Sequence, residues 1–78
     1  MSTPIEPVAF PLRGEHITLD ALMKATGLAS SGGHAKVRIA SGEVRVNGEA
    51  ELRRGRKLRA GDEVTIGAEK VRIEPRAP

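Results

Sequence analysis

Apolar residues recur along this chain with two periods, and the switch between them divides it. Leu19, Leu22 and Met23 follow Thr18 at i, i+3, i+4 spacing, with Asp20 in the first turn, where a carboxylate favours the helix dipole. This predicts a first helix ending near Thr26, because Gly27 can take the positive φ of a helix stop, with Leu28 packing back. Ser30 and Ser31 can cap a second short helix with apolar positions Ala35, Ile39 and Ala40, closed by Ser41-Gly42. Gly32 and Gly33 weaken its first turn by about 1 kcal/mol each if they lie inside it. Either close approach of another backbone or a plain loop accounts for them.

From Glu43 the period becomes two. Val44 and Val46 point one way, Glu43 and Arg45 the other, and Asn47-Gly48 is a strong hairpin signal. Leu52 and Leu58 are expected to rejoin the core, Ala60-Gly61-Asp62 to turn, and Val64, Ile66, Val71 and Ile73 to form a closing hairpin around Gly67-Ala68-Glu69. The predicted fold is α+β, two short helices packed on a small, mostly antiparallel β-sheet. Residues 1–15 hold three prolines and no sustained period, so they read as a flexible or extended lead-in. The domain is placed at 16–74, and 75–78 is read as a frayed end.

Composition narrows what such a domain can do. With 78 residues there is room for one core, and with no cysteine neither disulfides nor thiolate-bound zinc can hold it. Phe10 is the only aromatic residue, which excludes interfaces anchored on Trp or Tyr and single-strand recognition by base stacking. Apolar runs are far shorter than the roughly 20 residues of a membrane span, and no signal sequence opens the chain. A soluble, cytoplasmic protein is expected.

Net charge is only +3, but it is segregated. Between Lys36 and Arg59 stand eight basic residues (Lys36, Arg38, Arg45, Arg53, Arg54, Arg56, Lys57 and Arg59) against three acids, Glu43, Glu49 and Glu51. On strands, Arg45, Lys57 and Arg59 fall on the face opposite Val44, Val46 and Leu58. Arg53, Arg54 and Arg56 flank Gly55 in a predicted loop, with guanidinium groups free to meet phosphates in bidentate fashion. Lys36 and Arg38 come from helix two. Such segregation attracts a polyanion, though a solubilising surface has the same composition, and arginine-rich faces serve DNA as well as RNA. The lack of aromatic platforms favours a folded RNA read by shape.

Leu19-Asp20-Ala21-Leu22, Ser31-Gly32-Gly33-His34-Ala35-Lys36, Ile39-Ala40-Ser41-Gly42-Glu43-Val44-Arg45-Val46-Asn47-Gly48, Arg53-Arg54-Gly55-Arg56-Lys57-Leu58 and Gly61-Asp62-Glu63-Val64, in that order, resemble the alpha-L RNA-binding motif. That domain was first described in a small-subunit ribosomal protein and is also found beside pseudouridine synthases, tyrosyl-tRNA synthetases and heat-shock RNA-binding proteins. The resemblance runs from about Ile17 to Ile73 and is closest to short stand-alone bacterial members. It implies an L-shaped pair of helices backed by sheet, gripping structured RNA of ribosomal or transfer type, on the ribosome or in translation, with no cofactor. Many members carry arginine where this chain has Thr18 and Gly32. The implied binding therefore shifts onto Lys36, Arg38, Arg45 and the Arg53 to Arg59 cluster, with His34 a candidate hydrogen-bonding partner.

Other chemistries lack their residues. His16 and His34 have no metal-ligand partners in a recognisable spacing, and Gly27 with Gly32 fails as a phosphate loop because Gly33-His34 replaces the required Lys-Ser or Lys-Thr. Ser30 and Ser31 have no base and acid to make them nucleophiles, and Asp62-Glu63 is an exposed turn pair. Asn47 reads mainly as a turn residue. No catalytic or metal site is expected. The rival to RNA binding is a small adaptor whose basic surface binds an acidic protein partner.

Overall fold

The computed structural model describes residues 7–75. In chain order it contains β1 (Val8–Pro11), β2 (Ile17–Thr18), α1 (Leu19–Ala25), α2 (Gly32–Ala40), β3 (Val44–Val46), β4 (Glu49–Ala50), β5 (Lys57–Leu58), β6 (Glu63–Ile66) and β7 (Glu69–Glu74). Two short helices pack on a five-stranded mixed sheet of order β1-β7-β6-β3-β4, and β2 with β5 makes a second, two-stranded ladder. All pairings are antiparallel except β1 with β7.

The alternation of Val44, Val46, Val64, Ile66, Val71 and Ile73 puts all six on the buried face. Leu19, Leu22 and Met23 of α1 and Ala35 and Ile39 of α2 cover it, with Leu12, Leu28, Ala29 and Leu58 completing a single cluster. Gly27 ends α1 at φ 79°, and Asn47 and Gly48, at φ 53° and 85°, join β3 to β4 through the two-residue left-handed turn that Asn-Gly favours. Ser31 caps α2, its Oγ accepting the His34 N–H at 3.1 Å.

Three expectations need correction. The N-terminal stretch does not stay outside the fold: Val8–Pro11 pairs with Val71–Glu74, Phe10 packs against the core and Leu12 is buried. Proline is excluded from central strands because it cannot donate to the ladder, but an edge strand tolerates it, so Pro7 and Pro11 bracket β1 without breaking it. Residues 1–6 and 76–78, parts of the expected lead-in and frayed end, lie outside the described residues. Ala40, expected on the apolar stripe of α2, is exposed. The third correction bears on function: Leu52 is 65 % exposed, whereas its neighbour Glu51 is only 6 % exposed. The core turns away from an available leucine and takes a carboxylate.

Candidate nucleic-acid interface

Glu51 is tolerated inside because every need of a buried carboxylate is met. Its Oε2 accepts the backbone N–H and the Nε–H of Arg53, both at 3.2 Å. Its Oε1 accepts from Arg53 Nη2 at 3.3 Å and from Arg56 Nη1 at 2.7 Å. The Arg53 guanidinium and then that of Arg56 hold the carboxyl well down, at about 2 against an ordinary 4.5. No buried side-chain nitrogen or oxygen among the described residues lacks a partner. Arg53 and Arg56 are therefore not the freely swinging groups expected from the sequence. One edge of each is anchored from beneath.

The backbone of this segment is stitched to α1. Leu19 and Asp20 donate their N–H groups to the carbonyls of Arg56 and Arg54 at 2.9 and 3.1 Å, and Thr18 faces Lys57 in the β2–β5 ladder. The first N–H groups of a helix have no partner within it, and a side-chain cap is the usual remedy. Here Thr18 does not cap; its hydroxyl donates to Asp20 Oδ1 at 2.7 Å, and the basic loop supplies the acceptors instead. The Thr18 hydroxyl, helped by the Ala21 N–H, Lys24 and Arg54, keeps the Asp20 carboxyl below its usual value. A segment that reads as a loose arginine-rich loop is thus the N-terminal cap of a helix.

The remaining cations divide into two groups. Arg54, Lys57 and Arg59 are exposed and form no ion pair among the described residues, and Arg45 is exposed on β3 with only a 3.3 Å contact to the Gly48 carbonyl. Lys36 is likewise exposed and unpaired on α2. Arg38 is different. Its Nε pairs with Glu43 and its Nη1 donates to the Leu28 carbonyl at 2.7 Å, which ties the end of α2 to the connection between the helices. The Arg38 guanidinium keeps the Glu43 carboxyl below its ordinary value.

Arg53, Arg56 and Lys57 come together around an open cavity of about 570 Å³ with Gly55. His34 and Lys36 make no hydrogen bond or ion pair with that turn. His34 Nδ1 accepts the Ser30 N–H at 3.0 Å, so the neutral ring carries its proton on Nε2, pointing a donor outward. Asn47 works within the fold: its Nδ2 donates to Asp62 Oδ1 and its Oδ1 accepts the Glu63 N–H, which locks the β3–β4 turn to the start of β6.

Residues 10–74 match the model of the S4 domain. The chain belongs to the S4-domain family. In sequence this S4 domain is 38 % identical over 58 residues to the Escherichia coli (strain K12) protein named "Putative RNA-binding protein YbcJ", covering 74 % of this chain and 83 % of that one. It is 48 % identical over 52 residues to the Bacillus subtilis (strain 168) "Probable ribosome maturation protein RlbA", covering 67 % and 73 %. In structure it matches the solution structure of E. coli YbcJ, described as revealing an αL motif involved in RNA-binding, with a TM-score of 0.69, 32 % identity and 95 % of each chain covered. The alpha-L resemblance read from the sequence and the two-helix-on-sheet fold are both established by these matches.

Glu51 is the residue that sequence reasoning missed. Its only signal is an acid two and five positions ahead of arginines, a spacing that solvated loops show equally well.

Proposed function

We propose that this chain is a non-catalytic RNA-binding protein of the cytoplasm that grips structured RNA, of ribosomal or transfer type, through the Arg53 to Arg59 segment, in ribosome assembly or translation. The observation that carries this reading is an exposed set of cations on a backbone that is not free to move. Arg54, Lys57 and Arg59 lie on a segment tied to α1 by two backbone hydrogen bonds and to the interior by Glu51. Preorganised cations meet phosphates without the ordering cost of a flexible loop. Phosphate contacts of this kind supply affinity and register, while shape supplies selectivity. Arg45, Lys36 and the His34 Nε2–H extend the surface. The names of the E. coli and B. subtilis relatives support RNA as the partner and the ribosome as the setting. No helix among the described residues is long and apolar enough to cross a membrane.

The test is titration of the chain with structured RNA at two ionic strengths. Neutralised phosphates release counterions, so log K should fall linearly with log salt, by roughly 0.9 for each phosphate contact on a duplex. Affinity indifferent to salt would overturn the reading. Crosslinking in cells that recovered an acidic protein and no RNA would put the adaptor in its place.

A further inference from the structure

We infer that the turn from Arg53 to Lys57 is a seat for a single phosphate group of the bound RNA, and that Glu51 is the positioning residue that shapes it. This rests on the RNA-binding reading and goes beyond it by assigning one phosphate to one cavity and giving a buried acid a part in binding a polyanion.

The backbone of the turn is polarised. The Arg53 carbonyl accepts the Arg56 N–H at 3.2 Å, and the Arg54 and Arg56 carbonyls accept from Asp20 and Leu19, so three oxygens are turned inward and occupied. The N–H groups of Arg54 and Gly55 have no acceptor among the described residues. With three of its carbonyl oxygens engaged, the Gly55 carbonyl without a donor among the described residues and two N–H groups unclaimed, the turn offers an anion more free donors than acceptors.

Gly55 is not dictated by the backbone, since its φ lies outside the left-handed region that favours glycine. Apart from Gly55 itself and its two chain neighbours, no atom of the described residues lies within 4 Å of the place its Cβ would occupy. Its missing side chain leaves open space at the wall of the cavity that Arg53, Arg56 and Lys57 also line. Two guanidinium groups, an ammonium and the backbone of Gly55 around an open space suit a tetrahedral oxyanion.

Glu51 decides how the guanidinium groups stand. It engages Arg53 through Nε and Nη2 and Arg56 through Nη1, and leaves Arg53 Nη1 with Arg56 Nε and Nη2 without described partners. Asp20, a second carboxylate near Arg54, is held by Thr18 and Ala21.

The experiment uses the full chain. Inorganic phosphate is titrated in at constant ionic strength while the backbone amides and arginine Nε–H groups are followed by NMR, with chloride as reference. Saturating shifts are expected at Arg54, Gly55 and the Arg53 and Arg56 side chains, and their absence in Glu51→Gln. A stem-loop RNA is then titrated. Removing a negative charge would tighten binding if only net charge counted. The positioning role predicts weakening instead, by roughly tenfold. Gly55→Asp is the variant that keeps the fold, because its side chain enters open space beside cations. It should lose roughly tenfold in RNA affinity, while Ala68→Asp, with the same charge change on the β6–β7 turn, stays within about threefold. Phosphate shifts that bypass Gly55, or a Glu51→Gln chain that binds RNA as tightly as the parent or more so, overturn the seat while the RNA reading stands. Phosphate saturating at Gly55 in a chain that binds no stem-loop RNA overturns the assignment to RNA.

Discussion

Glu51 and Glu43 both meet arginine, yet the two pairings do opposite things. Glu43 is exposed, and it meets Arg38 at the end of α2, where the same guanidinium also reaches the Leu28 carbonyl. The arginine is the fixed partner there. Its charge is neutralised at the surface and its donors hold two pieces of backbone together. In the second region the acid is buried, Arg53 faces outward with 74 % of its side chain accessible, and Arg56 is half-buried at 34 %. One carboxylate then steadies two cations without covering them. The same ion pair closes a fold or displays a charge, depending on which partner is inside.

The sharpest way to break this contrast is to remove the cations that neither glutamate holds. The triple variant Arg54→Ala, Lys57→Ala, Arg59→Ala should lower RNA affinity on the order of a hundredfold and reduce the salt slope by about three, with an unchanged melting temperature. Equal loss from Arg38→Ala alone would erase the distinction between the two regions. Replacing Arg53 and Arg56 tests something else, because both are partners of a buried acid. Arg56→Ala leaves Glu51 Oε1 short of its closest donor, and a loss of about 2 kcal/mol of stability is expected in urea melts, alongside weaker RNA binding.

Smaller effects sharpen the comparison. Arg38→Ala should cost about 1 kcal/mol of stability, mostly through the Leu28 carbonyl, with RNA affinity changed by less than about threefold. Acid titration separates the glutamates again. The Glu51 carboxyl titrates at about 2 in the folded chain against an ordinary 4.5, so its stabilising contribution is complete above about 4.5 and is lost as pH falls toward 2. Melts across that window should show a fall that Glu51→Gln flattens. Glu43→Gln should flatten it less, because its pair is exposed and screened by water.

Much of the fold was legible because it follows from backbone period and turn chemistry. The stripe of Leu19, Leu22 and Met23, the stop at Gly27, the Ser31 cap, the Asn47-Gly48 turn and the six alternating β-branched residues all lie where the pattern puts them. β1 was not legible, because proline signals disorder and edge strand alike and only the neighbour β7 decides between them. The basic segment was legible as composition but not as geometry. Nothing local distinguishes Arg53, which is anchored, from Arg54, which makes no ion pair, since the difference is whether a glutamate from the interior reaches the guanidinium.

By itself, then, the sequence determined the two helices, the hairpins, the aliphatic core and the concentration of cations between Lys36 and Arg59, since each depends on residues within a few positions of one another. Tertiary structure alone decided that Glu51 and not Leu52 turns inward, that the arginine loop caps α1, and that Arg38 serves the fold. The physical reason is one of compensation. A carboxylate can leave water only where donors already wait for it, and those donors are brought into place by the packing of β2 against β5 and of α1 against the loop.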